Sequence, residues 1–230
     1  MFDFQYPITD RMLLPEGAAF HPISRAMRLY PRPLEAKAKR WLDIAIALLA
    51  LAFLIPVLPI IAAAIRIESA GPVFFRQQRL GLDGRPFTIL KFRTMRAAPA
   101  PLRQATRDDP RVTAIGRWLR RTSIDEWPQF LNVLRGDMSV VGPRPHAPGT
   151  RAGGRLFEDI TIRYPDRHRV RPGLTGLAQV RGWRGETDTE HKLLRRVESD
   201  LEYIETWSLA LDLVIVWRTV FVVLRMRNAY

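Results

Sequence analysis

The sequence contains no cysteine, which excludes disulfides, thiolate metal sites and a cysteine nucleophile and leaves the redox compartment unread. Lysine is nearly as scarce, with only Lys37, Lys39, Lys91 and Lys192. Acids are outnumbered, 23 Asp and Glu against 36 Lys and Arg, so the formal charge of +13 is carried almost wholly by arginine. There is no G-x-G-x-x-G after a strand, no G-x-x-x-x-G-K-[ST] loop and no H-E-x-x-H, which removes the usual dinucleotide, P-loop and zincin templates. His21, His146, His168 and His191 are too scattered for a zinc site. No internal repeat is found.

The planar fork of arginine suits phosphate, so a nucleic acid, a nucleotide or an anionic lipid surface fits the charge. A solvated basic face from arginine-rich codon usage fits it equally well, and only position decides. Apolar residues make up 47% and aromatics 10% of the 230 residues, normal for one folded domain with room for a short membrane element.

From Ile44 to Ile65 no residue is charged, about the ~20 residues a spanning helix needs. The run begins too late and is too long for a signal peptide. Lys37, Lys39 and Arg40 precede it and Arg66, Arg76, Arg79 and Arg85 follow it, so both flanks favour the cytoplasmic side. That predicts a re-entrant hairpin, in which Pro56 and Pro59 inside the run can break the helix and let it turn back; a single spanning helix is the competing reading, because proline is tolerated there. Residues 1–36, with five prolines and no sustained period, read as an N-terminal arm, 37–68 as the membrane helix and 69–230 as a catalytic domain.

Two β-rich runs, 73–79 and 87–93, flank Asp83-Gly84 and predict a β-hairpin. Residues 97–110 read as a loop suited to a lid. Helices are predicted over 115–121, 125–134 and 187–204, and the apolar tail 207–224, interrupted by Asp212 and Arg218, is either an interfacial helix or a core helix. The fold class is α/β, helix-rich, with interfacial amphipathic helices.

Asp125 and Glu126 are adjacent, so on a regular element they point apart. Thr122-Ser123-Ile124-Asp125-Glu126 fits a capping box with Ser123 at the N-cap, or Asp125 itself as the cap. Acids in a first turn need no catalytic role. Their company argues for one: Arg117, Arg120 and Arg121 precede them and Arg144 follows in Gly142-Pro143-Arg144-Pro145, beside His146. A carboxylate among guanidiniums stays ionised, as a nucleophile or metal ligand must. Lys91 and Arg93 on the hairpin, and Arg171 beside Gly173 and Gly176, add cations able to bind pyrophosphate.

These segments resemble one family, the bacterial sugar transferases, or monotopic polyprenyl-phosphate phosphoglycosyl transferases. The likeness rests on Lys39-Arg40-Trp41-Leu42-Asp43, Gly71-Pro72-Val73-Phe74-Phe75, Lys91-Phe92-Arg93-Thr94-Met95, Asp125-Glu126-Trp127-Pro128-Gln129, the run from Asn132 to Pro145, Arg171-Pro172-Gly173, and Gly176-Leu177-Ala178-Gln179-Val180. It implies a re-entrant membrane helix broken near Pro56, a small catalytic domain on the cytoplasmic face of the bacterial inner membrane, and Mg²⁺ held by Asp125. It further implies that Asp125 attacks the sugar-linked phosphate of a UDP-sugar, that UMP leaves, and that polyprenyl phosphate collects the sugar phosphate with help from Glu126. Lys91, Arg93, Arg120, Arg144, His146, Arg171 and Gln179 become the expected substrate and phosphate contacts.

Gly182-Trp183-Arg184-Gly185-Glu186-Thr187 and Pro145-His146-Ala147 resemble the branch that begins exopolysaccharide synthesis on glucose or galactose 1-phosphate. Members of that branch usually carry several spanning helices and a further soluble domain ahead of this region, where residues 1–36 stand here. Direct attack by the lipid phosphate, with the carboxylates only holding Mg²⁺, is an alternative chemistry. A nucleic-acid-binding membrane protein is the rival class; it leaves the apolar run and the paired acids unexplained, so no nucleic-acid partner is expected, while a homodimer is left open.

Overall fold

The computed structural model describes residues 37–96 and 109–224, so the N-terminal arm and nearly all of the expected lid lie outside the described residues. Helix α1 runs from Lys37 to Glu68 and stays helical through Pro56 and Pro59. Each proline lacks the N–H that would reach Ala52 or Ile55, yet the rest of the ladder keeps one element of about 48 Å if straight. The break expected at Pro56 is therefore not an interruption of the helix. Among the described residues α1 alone is long and apolar enough to cross a membrane, with a mean hydropathy of 2.9 over its most apolar window. Leu48, Leu49, Phe53, Ile55 and Ile60 are all exposed.

Both ends of α1 are nevertheless fastened to the rest of the chain. Strands β1 (Phe74–Leu80) and β2 (Pro86–Phe92) form the expected hairpin, paired antiparallel from Phe74 opposite Phe92 to Leu80 opposite Pro86. Helix α2 (Ala114–Thr122) follows, then a 3₁₀ turn over Ile124–Gln129 and helix α3 (Phe130–Arg135), which stops at Gly136 with φ 92°. A left-handed residue at that place is the ordinary way to end a helix. At the far end of α1, Arg93 Nη2 donates to the Ser69 carbonyl at 2.6 Å, and Glu68 accepts from the N–H groups of Ala114 (2.5 Å) and Ile115 (2.8 Å). That carboxylate caps the start of α2 beside Thr113, whose hydroxyl accepts from Gly116 N–H.

Strand β3 (Ser139–Val141) leads to a small excursion of β4 (Arg151–Ala152), β5 (Arg155–Leu156) and α4 (Phe157–Ile160), and a 3₁₀ turn over Tyr164–Arg169. Strand β6 (Gly173–Thr175) returns parallel to β3. The two chains approach so closely that a Cβ on Gly173 would lie 2.1 Å from Gly142 N, so only glycine fits. Helices α5 (Leu177–Val180), α6 (Glu190–Thr206) and α7 (Leu209–Leu224) complete the chain.

The main core gathers Val133, Met138, Val141, Leu193, Val197, Leu201 and Ile215. A second cluster joins Leu54, Ile61 and Ile65 of α1 to Phe92 and Leu119. On α7, Asp212 and Ile215 are buried whereas Leu213, Val214, Trp217, Val220 and Phe221 stay exposed. One stripe packs inward and the rest is apolar surface, as an interfacial helix requires.

The near end of α1 docks through buried polar groups. Lys39 Nζ donates to Asp212 Oδ2 (2.8 Å), Tyr203 OH (3.2 Å) and the Val141 carbonyl (3.1 Å), and Arg40 satisfies the terminal carbonyls of Val133 and Leu134 on α3. Asp43 accepts from Val140 N–H (2.9 Å) and Ser139 Oγ (3.0 Å). Lys39 and Asp212 are 4% and 1% exposed, so deleting one charge strands the other in the interior. Lys39→Met is expected to lower the unfolding free energy by about 3 kcal/mol, and Lys39→Met with Asp212→Leu to recover most of it, as measured by thermal unfolding in detergent.

Candidate active site

Asp125 reaches the site because the chain turns sharply just before it. Ser123 ends α2 in the left-handed region at φ 60° and ψ 13°, and the following turn is 3₁₀ rather than α. The expected capping box does not form. The Ser123 N–H is already bonded to the Arg120 carbonyl, its hydroxyl accepts from Arg184 Nη2 at 2.5 Å, and the Glu126 side chain is drawn elsewhere. The single helix expected over 125–134 is accordingly a 3₁₀ turn followed by the short α3.

Glu126 lies between two cations. Lys91 Nζ donates to its Oε1 at 2.7 Å, while the Arg144 guanidinium bonds both carboxylate oxygens, Nη1 to Oε2 at 3.0 Å and Nη2 to Oε1. This fork is the strong, geometrically selective form of the pair. Burial alone would raise the Glu126 pKa, but Arg144 and Lys91 together hold it well below the usual carboxylate range.

Asp125, 8% exposed, is treated differently. Burial pushes its carboxyl up to about 6, with the Glu126 charge adding to the rise and Lys91, Arg120 and Arg144 opposing it. No hydrogen bond or ion pair to its side chain occurs among the described residues. The arginine-rich setting therefore serves Glu126 more than Asp125, a refinement of the sequence expectation. Asp125 therefore presents a carboxylate with no hydrogen-bond partner among the described residues, set in the field of Lys91, Arg120 and Arg144.

Of the other expected residues, Lys91, Arg120 and Arg144 gather here. Arg120 Nε donates to Thr94 Oγ1 at 2.9 Å, and its charge acts on Asp125. His146 is buried on the same loop as Arg144, with Nδ1 3.0 Å from Tyr164 OH. Gln179 is 7% exposed, with neither amide atom partnered among the described residues and its Oε1 directed at Gly176. Arg93 and Arg171 are not brought in: Arg93 closes the end of α1, and Arg171 Nε donates to the Gly136 carbonyl at 2.9 Å.

Sequence reasoning passed over Arg79. Its pKa is lowered to about 10 by burial and by the neighbouring Arg144 charge, while Glu126 opposes the shift, so a fourth cation stands near the pair. A signal existed: the register sets Phe75 opposite Lys91, and alternation along β1 then puts Arg79 on the face of Lys91. The end of β1 is stitched to the Arg144 loop by Leu80 N–H and the His146 carbonyl at 3.2 Å.

Two unlike carboxylates thus stand among partly buried cations near the apolar helix α1. The bacterial sugar transferase family matches residues 34–226, and the chain is a member of it. Among its relatives, an undecaprenyl-phosphate glucose phosphotransferase of Komagataeibacter xylinus is 50% identical over 92% of this chain. UDP-glucose:undecaprenyl-phosphate glucose-1-phosphate transferases of Escherichia coli and Caulobacter vibrioides are 51% and 52% identical over 84% and 87% of it. The chain spans 41% and 42% of the length of the first two relatives and 74% of the Caulobacter protein.

The two carboxylates should answer oppositely to removal of charge. Asp125 has a folded-state pKa above its unfolded value, so its ionisation opposes folding above pH 6 and the cost fades as pH falls. Glu126 has a depressed folded-state pKa, so it stabilises above the unfolded value and loses that contribution as pH falls. At pH 8 in chelator-treated buffer, Asp125→Asn is expected to raise stability by about 1–2 kcal/mol and Glu126→Gln to lower it by about 2 kcal/mol. Thermal unfolding at pH 8 and pH 5 checks both, and the Asp125→Asn gain should shrink at pH 5.

Proposed function

We propose that this chain transfers glucose 1-phosphate from UDP-glucose to undecaprenyl phosphate and releases UMP, through a phosphosugar ester on Asp125. The observation that carries the reading is the division of labour in the pair, with Glu126 committed to two cations and Asp125 left unpartnered. The names of the relatives at about half identity support glucose as the sugar; an N-acetylgalactosamine-phosphotransferase of Aeromonas hydrophila is more distant, at 40%.

In the first step an Asp125 oxygen bonds to the phosphorus carrying glucose, and the bridging P–O bond breaks with its electrons leaving on UMP. In the second, an oxygen of the lipid phosphate bonds to the same phosphorus and the Asp125 carboxylate departs. Phosphoryl transfer asks the protein mainly for position and charge neutralisation. Arg144, Lys91 and Arg79 supply a fixed positive field, and Glu126 keeps Arg144 and Lys91 aimed without consuming all their charge. Covalent capture splits an exchange between two large anions into two smaller displacements.

A free carboxylate also fits a hard divalent cation, and Asp125 would hold Mg²⁺. Among the described residues no three ligating acids or histidines converge, which suits an ion that completes its shell with water and substrate phosphates. When bound, Mg²⁺ neutralises charge on the diphosphate.

Both ends of α1 dock on the catalytic body, and both flanks of its apolar centre are basic, which supports a monotopic, re-entrant attachment to the cytoplasmic face of the inner membrane. The exposed apolar side of α7 lies in the same interface.

Incubation with UDP-glucose labelled on the sugar-linked phosphate, without lipid, should leave label on the protein. Wild-type protein that turns over with lipid yet never carries label would favour direct attack by the lipid phosphate. Asp125→Asn should abolish labelling and cut transfer by at least about 10³-fold. Arg144→Lys, which keeps the charge and loses the fork, should lower kcat by roughly 10²-fold.

A further inference from the structure

Arg167 is the largest fully buried side chain among the described residues, at 2% exposure, and every nitrogen of its guanidinium is used. Nε and Nη2 donate to Asp200 Oδ2 of α6 at 2.8 and 2.7 Å. Nη2 also donates to the backbone carbonyl of Arg144 at 2.8 Å, and Nη1 lies 2.9 Å from His146 Nδ1. One rigid fork thus touches both ends of the Arg144-Pro145-His146 segment and anchors it to a helix that is remote in sequence.

We infer that Arg167, held by Asp200, is a positioning residue for the transfer reaction: it fixes the backbone of Arg144 so that the Arg144 guanidinium meets Glu126, and it fixes His146 as the neutral tautomer protonated on Nε2. The inference rests on the function proposed above only for its kinetic readout. The tautomer follows from donor chemistry. A guanidinium can only donate, so His146 Nδ1 must accept, and the proton of a neutral ring then sits on Nε2. The ring is further confined edge-on by Phe157, with centroids 4.9 Å apart, and by Tyr164 stacked at 6.1 Å. Its Nε2 is buried with no partner among the described residues.

A buried arginine beside a buried aspartate explains itself as a fold-stabilising pair, and that simpler role makes a different forecast. The full chain carrying Arg167→Met and Asp200→Asn loses both charges at once and so avoids a stranded ion. If the brace acts on Arg144, this variant keeps a thermal midpoint near that of wild type, yet kcat for UDP-glucose falls by roughly 10–100-fold with a smaller change in KM. Nitrogen-detected NMR of the histidine rings gives an independent readout. Wild type should show His146 with bare Nδ1 and protonated Nε2, and the double variant a mixture of tautomers.

Wild-type kcat and an unchanged His146 signature in the double variant would overturn the inference. Should the double variant not fold, Arg167→Lys carries the same test, because its single ammonium keeps the charge against Asp200 but cannot reach His146 and the Arg144 carbonyl together. If wild type does not act on UDP-glucose, the functional proposal falls, and the tautomer measurement alone decides the brace.

Discussion

A carboxylate withdrawn from water needs positive charge close by, and Glu126 takes it from Lys91 on the hairpin and Arg144 on the loop after β3. Those two elements are 53 residues apart in the chain, yet the shared acid sets their separation to within a hydrogen bond. The hairpin, the 3₁₀ turn and the loop are thereby locked into one frame. Removing one member would leave uncompensated charge in a partly dry site, which is costlier than losing a surface pair. Asp125 inherits its properties from this arrangement: its neighbour has already claimed the best cations, and it is left ionisable and unattached.

The acids themselves were legible because adjacency and the surrounding motif are local features. The division between them was not, since it depends on which cations arrive from elsewhere. Arg79 and Arg93 illustrate the point. Both follow the apolar run, but strand parity within β1 sends Arg79 toward Lys91, whereas Arg93, beyond the end of β2, turns to the Ser69 carbonyl. The helix expected over 125–134 failed for a related reason. Apolar spacing at three and four residues is shared by 3₁₀ and α segments, and only the left-handed Ser123, with its N–H already spent, decides between them. The hairpin, α2, α6 and α7 were legible to within a few residues because their periodicity and caps lie in the segments themselves.

The high arginine content also means something narrower than phosphate binding. Arg40 closes the carbonyl end of α3, Arg93 that of α1, and Arg171 bonds Gly136 just past α3. Each places a cation where the helix dipole is negative and carbonyls lack partners. Arg167 serves the interior in a comparable way. A good share of the +13 charge is thus spent on joining elements, and the cations that remain around Asp125 and Glu126 are a selected few.

The double docking of α1 bears on how the two substrates of the proposed reaction would meet. With both helix ends moored to the catalytic body, a membrane-inserted α1 would hold the carboxylates at one depth relative to the bilayer. On the proposed function, a lipid-borne phosphate confined to its leaflet would search for them in a plane, so that encounters would scale with its surface density. A water-soluble nucleotide sugar would arrive from the third dimension, by a supply route separate from that of the lipid.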